Sequence, residues 1–268
     1  MNGYRDRFAT IDGSVFHYLD WGNPTAPPVI LLHGGSLNAH AWDAIAEQLA
    51  DRFRLIAPDA RNHGDTDSFD GAYDYSDLAG DVGRLADAVG IVRHGLIGHS
   101  MGGRIAQVYA TRFPERLDWL VIEDTPVDDA QTTRGRPPQP ETFGSMDEIV
   151  AIARRGLPHA GDEVAWQRAL FLRRPLAGGR YSLKHRPGAL PVNPATLDLW
   201  AGLAGLRCPT LVLRGADSTI FPAEAAERQA AAIPGATLVT IPNGVHDLKE
   251  DNPAAFWAAL DEFLGRLG

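Results

Sequence analysis

Apolar and polar positions alternate through residues 5–21 and break at Asp12-Gly13, which predicts two strands joined by a tight hairpin turn. Residues 28–33 then form an apolar run suited to a strand buried on both faces. Over 38–51 the spacing changes to a helical one, with Trp42, Ile45, Ala46 and Leu49 on one face. Residues 53–57 read as the next buried strand. An amphipathic helix follows over 77–89, then a strand at 95–98, a helix at 101–113 and a strand at 117–122. The pattern resumes late in the chain: strand 210–214, helix 222–232, strand 236–241 and a closing helix at 253–267. Alternation of this kind argues for an α/β fold, a mostly parallel sheet with helices on both faces.

Between 126 and 206 the alternation stops. This stretch carries proline-bearing runs at 136–140, 174–175, 186–188 and 191–194, and short helical pieces near 145–156, 162–173 and 194–204. Trp166, Leu170, Phe171, Leu197 and Trp200 make it too apolar for a disordered loop. The expected organisation is therefore a core made of 1–125 and 207–268, with 126–206 as a helical cap over the carboxyl edge of the sheet. Met146, Trp166, Phe171 and Trp200 are candidates either for the pocket lining or for the interior of that cap. There are no internal repeats.

Composition narrows the function. A chain of 268 residues with 44% hydrophobic content can bury one large core. The net charge of −9, with no basic stripe, excludes nucleic acid as an expected partner. The single cysteine, Cys208, permits no intrachain disulfide and fits a reducing, cytoplasmic setting. Residues 1–7 lack the apolar segment of a signal peptide, and no apolar run approaches the roughly 20 residues that cross a membrane. His17, His40, His94, His159 and His185 show no metal-ligand spacing, and no glycine-rich phosphate loop follows the first strands, so no metal or nucleotide cofactor is expected.

The candidate chemistry centres on Gly98-His99-Ser100-Met101-Gly102. This Gly-x-Ser-x-Gly lies between an apolar strand and a helix, a sharp turn that pushes the serine hydroxyl out of the sheet. At a helix N-terminus, Ser100 sits where free N–H groups favour developing negative charge. A serine nucleophile needs a base and a group to orient the base. His246, in the loop after the last predicted strand, is the candidate base. Asp217, after the preceding strand, is the expected acid, with Asp124, after the 117–122 strand, as the alternative. An oxyanion needs two N–H donors. Met101 should supply one, and the loop His33-Gly34-Gly35-Ser36 the other, from Gly35 or its neighbour Ser36. His33 should hold that loop by hydrogen bonds.

These residues, with Asp59-Ala60-Arg61-Asn62-His63-Gly64 between them, follow one another in an order that resembles the α/β-hydrolase fold superfamily over nearly the whole chain. The branch it is most similar to is that of capped esterases, lactonases and carbon–carbon bond hydrolases. The resemblance implies an eight-stranded, mostly parallel sheet with a helical cap. It also implies cofactor-free hydrolysis of a small-molecule carboxylic ester or lactone. A carbon–carbon hydrolase with the same three residues, or a ligand-binding, receptor-like protein on the same fold, are the alternatives. Serine at the turn argues against the aspartate-nucleophile dehalogenases and epoxide hydrolases. The family's usual acid position, three residues after Gly215, holds Ser218 here, and Asp217 is one earlier. Some relatives carry the acid where Asp124 stands.

Overall fold

Asp12 and Gly13 both take positive φ, +50° and +82°, so β1 (Arg5–Ile11) turns directly into the antiparallel β2 (Ser14–Trp21). The structure, a computed structural model, describes residues 3–128, 140–186 and 197–267. The proline-bearing runs at 136–139 and 187–194 lie outside the described residues, as does the start of the helix expected at 194–204.

After the hairpin come β3 (Pro28–Leu32), α1 (Asp43–Leu49), β4 (Arg54–Pro58), α2 (Tyr75–Ala88), β5 (His94–His99), α3 (Met101–Arg112) and β6 (Leu117–Glu123). The next segment holds α4 (Met146–Arg155), α5 (Asp162–Leu172), a small antiparallel pair of β7 (Arg173–Pro175) and β8 (Tyr181–Leu183), and α6 (Leu199–Ala204). The chain closes with β9 (Thr210–Gly215), α7 (Ala223–Ala232), β10 (Thr237–Ile241), α8 (Leu248–Asp251) and α9 (Pro253–Gly265).

Eight strands form one sheet in the order β1-β2-β4-β3-β5-β6-β9-β10. Only the pairings made by β2 are antiparallel. The mostly parallel eight-stranded sheet flanked by helices is therefore the observed fold. Strand alternation sorts neighbouring residues between its two faces. Val29, Leu31, Ile97 and Val121 pack with α1 and α9, through Ile45, Leu49, Phe256 and Phe263. Ile30, Leu32, Leu96 and Ile122 pack with α2, α3, α6 and α7, through Val82, Ile105, Leu203 and Ala226.

The segment expected as a cap divides. Residues of α4 and α5, among them Ile149, Ala153, Ala169 and Leu172, form a small apolar cluster with Phe143, Leu183 and Leu37 of the loop after β3. In contrast, α6 lies against α3 in the main core: a Cβ on Gly202 would stand 2.2 Å from the Thr111 side chain. No helix among the described residues is long and apolar enough to cross a membrane.

The parallel strands β3, β5, β6, β9 and β10 all deliver their carboxyl ends to one edge of the sheet. Loops at that edge are where open α/β sheets carry ligands and chemistry.

Candidate active site

Ser100 has φ +53° and ψ −114°, a conformation that costs a non-glycine residue of order 1–3 kcal/mol. It is held there from both sides. Its N–H donates to Glu123 O of β6 at 3.2 Å, and its carbonyl accepts from Arg104 N at 2.9 Å in the first turn of α3. The glycines around it permit the approach. A Cβ on Gly98 would lie 2.3 Å from Gly102 O, and one on Gly102 would lie 2.1 Å from Leu32 O. Met101 opens α3, where the first N–H groups have no acceptor within the helix.

His246 meets this serine from the loop after β10. Its Nε2 lies 2.9 Å from Ser100 Oγ, and its Nδ1 lies 2.8 Å from Asp124 Oδ2. With Nδ1 donating to the carboxylate, Nε2 is left to accept from the serine hydroxyl. The loop is fixed by its backbone: Val245 N and His246 N both donate to Asp251 Oδ2, and His246 O accepts from His99 Nε2 at 2.9 Å. Burial and the nearby Lys249 keep His99 well below its ordinary pKa, so it is a neutral donor here.

The carboxylate at His246 is thus Asp124, and Asp217 does not reach it. Asp124, the residue just after β6, is fully buried, with φ +44°. Besides His246, it accepts from Gly215 N at 3.0 Å and from Ser218 Oγ at 2.8 Å. The turn after β9, closed by Ser218 N donating to Gly215 O, sends the Ser218 side chain inward and that of Asp217 outward. Asp217 is 56% exposed and 3.8 Å from His159. The position that resemblance marks for an acid therefore holds a hydroxyl that donates to the acid of another strand.

The loop after β3 passes directly over the serine. A Cβ on Gly34 would lie 2.6 Å from His99 Nδ1 and 3.4 Å from Ser100 Cβ, and one on Gly35 would lie 3.8 Å from Met101 Cβ. His33 braces this loop, accepting from Ala60 N at 3.0 Å through Nε2 and donating from Nδ1 to Gly34 O. Ser36 N donates to His63 Nε2 at 3.2 Å. Burial pushes His63 down to about 3, so its ring stays neutral and free to accept. Asp59 anchors the same loop by accepting from Ala39 N at 2.7 Å. Of the two amides this loop offered as alternatives for the second oxyanion donor, that of Ser36 is thus committed and that of Gly35 remains the candidate.

A family profile for the alpha/beta hydrolase fold matches residues 27–253. The chain belongs to the α/β-hydrolase fold family. It is 27% identical to the mouse sn-1-specific diacylglycerol lipase ABHD11, over 93% of this chain and 84% of that protein. It is 30% identical to haloalkane dehalogenase 2 of Mycobacterium bovis, over 93% and 91%. The crystal structure of E-2-(acetamidomethylene)succinate hydrolase superimposes with a TM-score of 0.84 at 23% identity, covering 98% of this chain and 99% of that one.

In this α/β-hydrolase, Ser100 and His246 open into a cavity of about 280 Å³. Leu37, Ile152, Ala153, Leu172 and Leu183 give it apolar walls, with Arg155, Arg168 and His185 among its polar ones. None of the four large residues proposed from sequence lines it. Phe171 stacks on His40 at 3.9 Å, Trp166 is 42% exposed, Trp200 donates to Asp128, and Met146 packs on the α4–α5 cluster.

Sequence reasoning also missed a buried ionic group beneath this cavity. Lys249 Nζ lies 2.5 Å from Asp247 Oδ1, 3.5 Å from Glu123 Oε2 and 4.7 Å from the Trp42 ring centre. Arg168 of α5 pairs with Asp247 and Glu250. Burial pushes the Glu123 carboxyl up to about 8 despite Lys249. Burial opposes the charge on Asp247 as well, but Arg168 and Lys249 hold its carboxyl well below the usual range. The run Asp247-x-Lys249-Glu250 beside the histidine was the available signal. His99, Glu123 and Asp247 stand close enough to one another to ligate a metal, but two of the three, Asp247 and Glu123, already lie 2.5 and 3.5 Å from the Lys249 ammonium.

Proposed function

We propose that this α/β-hydrolase cleaves a small-molecule carboxylic ester or lactone through an acyl-enzyme on Ser100. The reading is carried by one observation: the His246 ring is hydrogen-bonded at once to Ser100 Oγ and to the buried Asp124. Ser100 Oγ attacks the carbonyl carbon while His246 Nε2 takes its proton. Asp124 keeps the ring in the required tautomer and stabilises the imidazolium. The N–H groups of Met101 and Gly35 receive the oxyanion. Met101 is favoured by its place at the start of α3, and Gly35 by its position over Met101. His246 then gives its proton to the leaving alkoxide, activates a water molecule, and the water displaces the acyl group from Ser100.

A serine nucleophile must lose a proton to attack, so it needs the neighbouring base found here. The apolar walls and modest volume of the cavity suit a small or medium acyl group. The lipase relative acts on an ester, in keeping with this reading. The reaction draws only on side chains, backbone amides and water.

The test is hydrolysis of short-chain p-nitrophenyl esters and a simple lactone by the wild type and by Ser100→Ala. The wild type should turn over at least one of them, and Ser100→Ala should lose on the order of 10⁴-fold or more in kcat. Equal activity in the two proteins contradicts the assignment of Ser100.

A further inference from the structure

Asp247 follows His246 in the chain and is only 3% exposed. It stands at the start of α8, yet its carboxylate makes no capping bond there. Its two oxygens serve different parts of the molecule. Oδ1 accepts from Lys249 Nζ at 2.5 Å, within the core. Oδ2 accepts from Nη2 of Arg168, which comes from α5, 79 positions away in sequence. The same nitrogen donates to Glu250 Oε2 at 2.5 Å. Neutralising Asp247 would need only Lys249. The second bond does something else: it joins the α4–α5 layer to the residue beside the histidine.

The other bonds that hold the histidine loop come from the core. Asp251 takes the amides of Val245 and His246, and His99 donates to the His246 carbonyl. Among the described residues, Arg168 brings a hydrogen bond to this loop from the α4–α5 layer, and it also lines the cavity at Ser100. It sits where that layer covers the substrate space.

We propose that Arg168 is a positioning residue for His246: by gripping Asp247 from α5, it makes alignment of the base depend on the α4–α5 layer being seated over the cavity. The proposal rests on the reading of His246 as the base of an ester hydrolase. When the layer is seated, Asp247 is held from two sides and the His246 ring is fixed between Ser100 and Asp124. When it lifts, Asp247 keeps Lys249 alone and the loop loses its tether on the cavity side.

The test is the pH profile of p-nitrophenyl butyrate hydrolysis by Arg168→Gln, Arg168→Lys, Glu250→Gln and Asp247→Asn. Arg168→Gln should lose about 10- to 100-fold in kcat, the scale of a misplaced catalytic group, with little change in KM. The charged and titratable groups around His246 are Asp124 just after β6, His99 of β5, Asp247, Lys249 and Asp251 of its own segment, Arg168 of α5, and, across the cavity, Arg155 of α4 and His185. Removing Arg168 subtracts a cation and leaves Asp247 less compensated. Both effects favour protonated His246, so the acid limb of kcat/KM should move to higher pH. Asp247→Asn should also lower kcat but move that limb to lower pH, and it carries the test if Arg168→Gln does not fold. Arg168→Lys should recover part of the loss. Glu250→Gln, which leaves the Arg168–Asp247 bond intact, should stay within about threefold of wild type.

Wild-type kcat and an unmoved acid limb in Arg168→Gln, beside an active wild type, overturn the proposal alone. So does a Glu250→Gln loss that matches it. A wild type that hydrolyses no ester contradicts the reading of the site, and the proposal falls with it.

Discussion

Asp124 serves His246 because a second strand turns two donors towards it, the Gly215 amide and the Ser218 hydroxyl. All three donors to Asp124 meet oxygens that are out of contact with solvent, so replacing the carboxylate removes an acceptor that water cannot restore. Asp124→Asn should lower kcat for a p-nitrophenyl ester by on the order of 10⁴-fold, through loss of the correct histidine tautomer. Asp217→Asn, at an exposed side chain, should stay within about twofold. Steady-state kinetics on the two variants side by side decide between the acids, and the reverse ranking would contradict the geometry. The approach of His246 to Ser100 was legible in the sequence because the turn that exposes the serine needs glycines at fixed offsets, and because the histidine loop follows the last strand at the same edge of the sheet. The sequence favoured Asp217 over Asp124 as the partner of His246, and the structure reverses that order. Both follow a strand, and which one points inward is set by the closure of the 215–218 turn, a three-dimensional fact with no local signature.

At the scale of elements, α3 rides unusually close to the sheet. A Cβ on Gly102 would meet Leu32 O at 2.1 Å and His33 O at 2.7 Å, and backbone on both sides leaves nothing flexible to give. Gly102→Ala should therefore cost about 1–3 kcal/mol of stability and displace Ser100, reducing kcat as well. Gly265→Ala, at the end of α9 with nothing within 4 Å, is the control and should leave both unchanged. Thermal unfolding with kinetics on the same samples checks this; an unperturbed Gly102→Ala would mean that α3 is not packed as described. The buried strands were readable as apolar runs, and α4 and α5 as helical spacing. The partner of α6 was not: six residues with an apolar stripe fit either a cap or the core, and only the approach of Gly202 to Thr111 places it on α3. The β7–β8 pair escaped notice because Arg173-Arg174-Pro175 has no strand-like alternation.

For the whole molecule, the decisive feature is convergence at one edge of the sheet. Loops after β3, β5 and β10 bring residues 34 to 247 around a single cavity, the ends of β6 and β9 hold Asp124 behind His246, and the α4–α5 layer adds the far walls. The layered architecture was legible because strand and helix periodicities alternate along the chain. The cavity was not, because its walls are assembled from Leu37, Ile152, Leu172 and Leu183, aliphatic residues that look like core in any one segment. The central claim is that Ser100 is an activated nucleophile, and the most direct measurement is covalent trapping with a fluorophosphonate followed by peptide mass spectrometry. The account predicts displacement of fluoride by Ser100 Oγ, one phosphonyl group on the peptide containing Ser100, and no label on Ser100→Ala. A wild type that stays unlabelled, or carries its label on another residue, would contradict it.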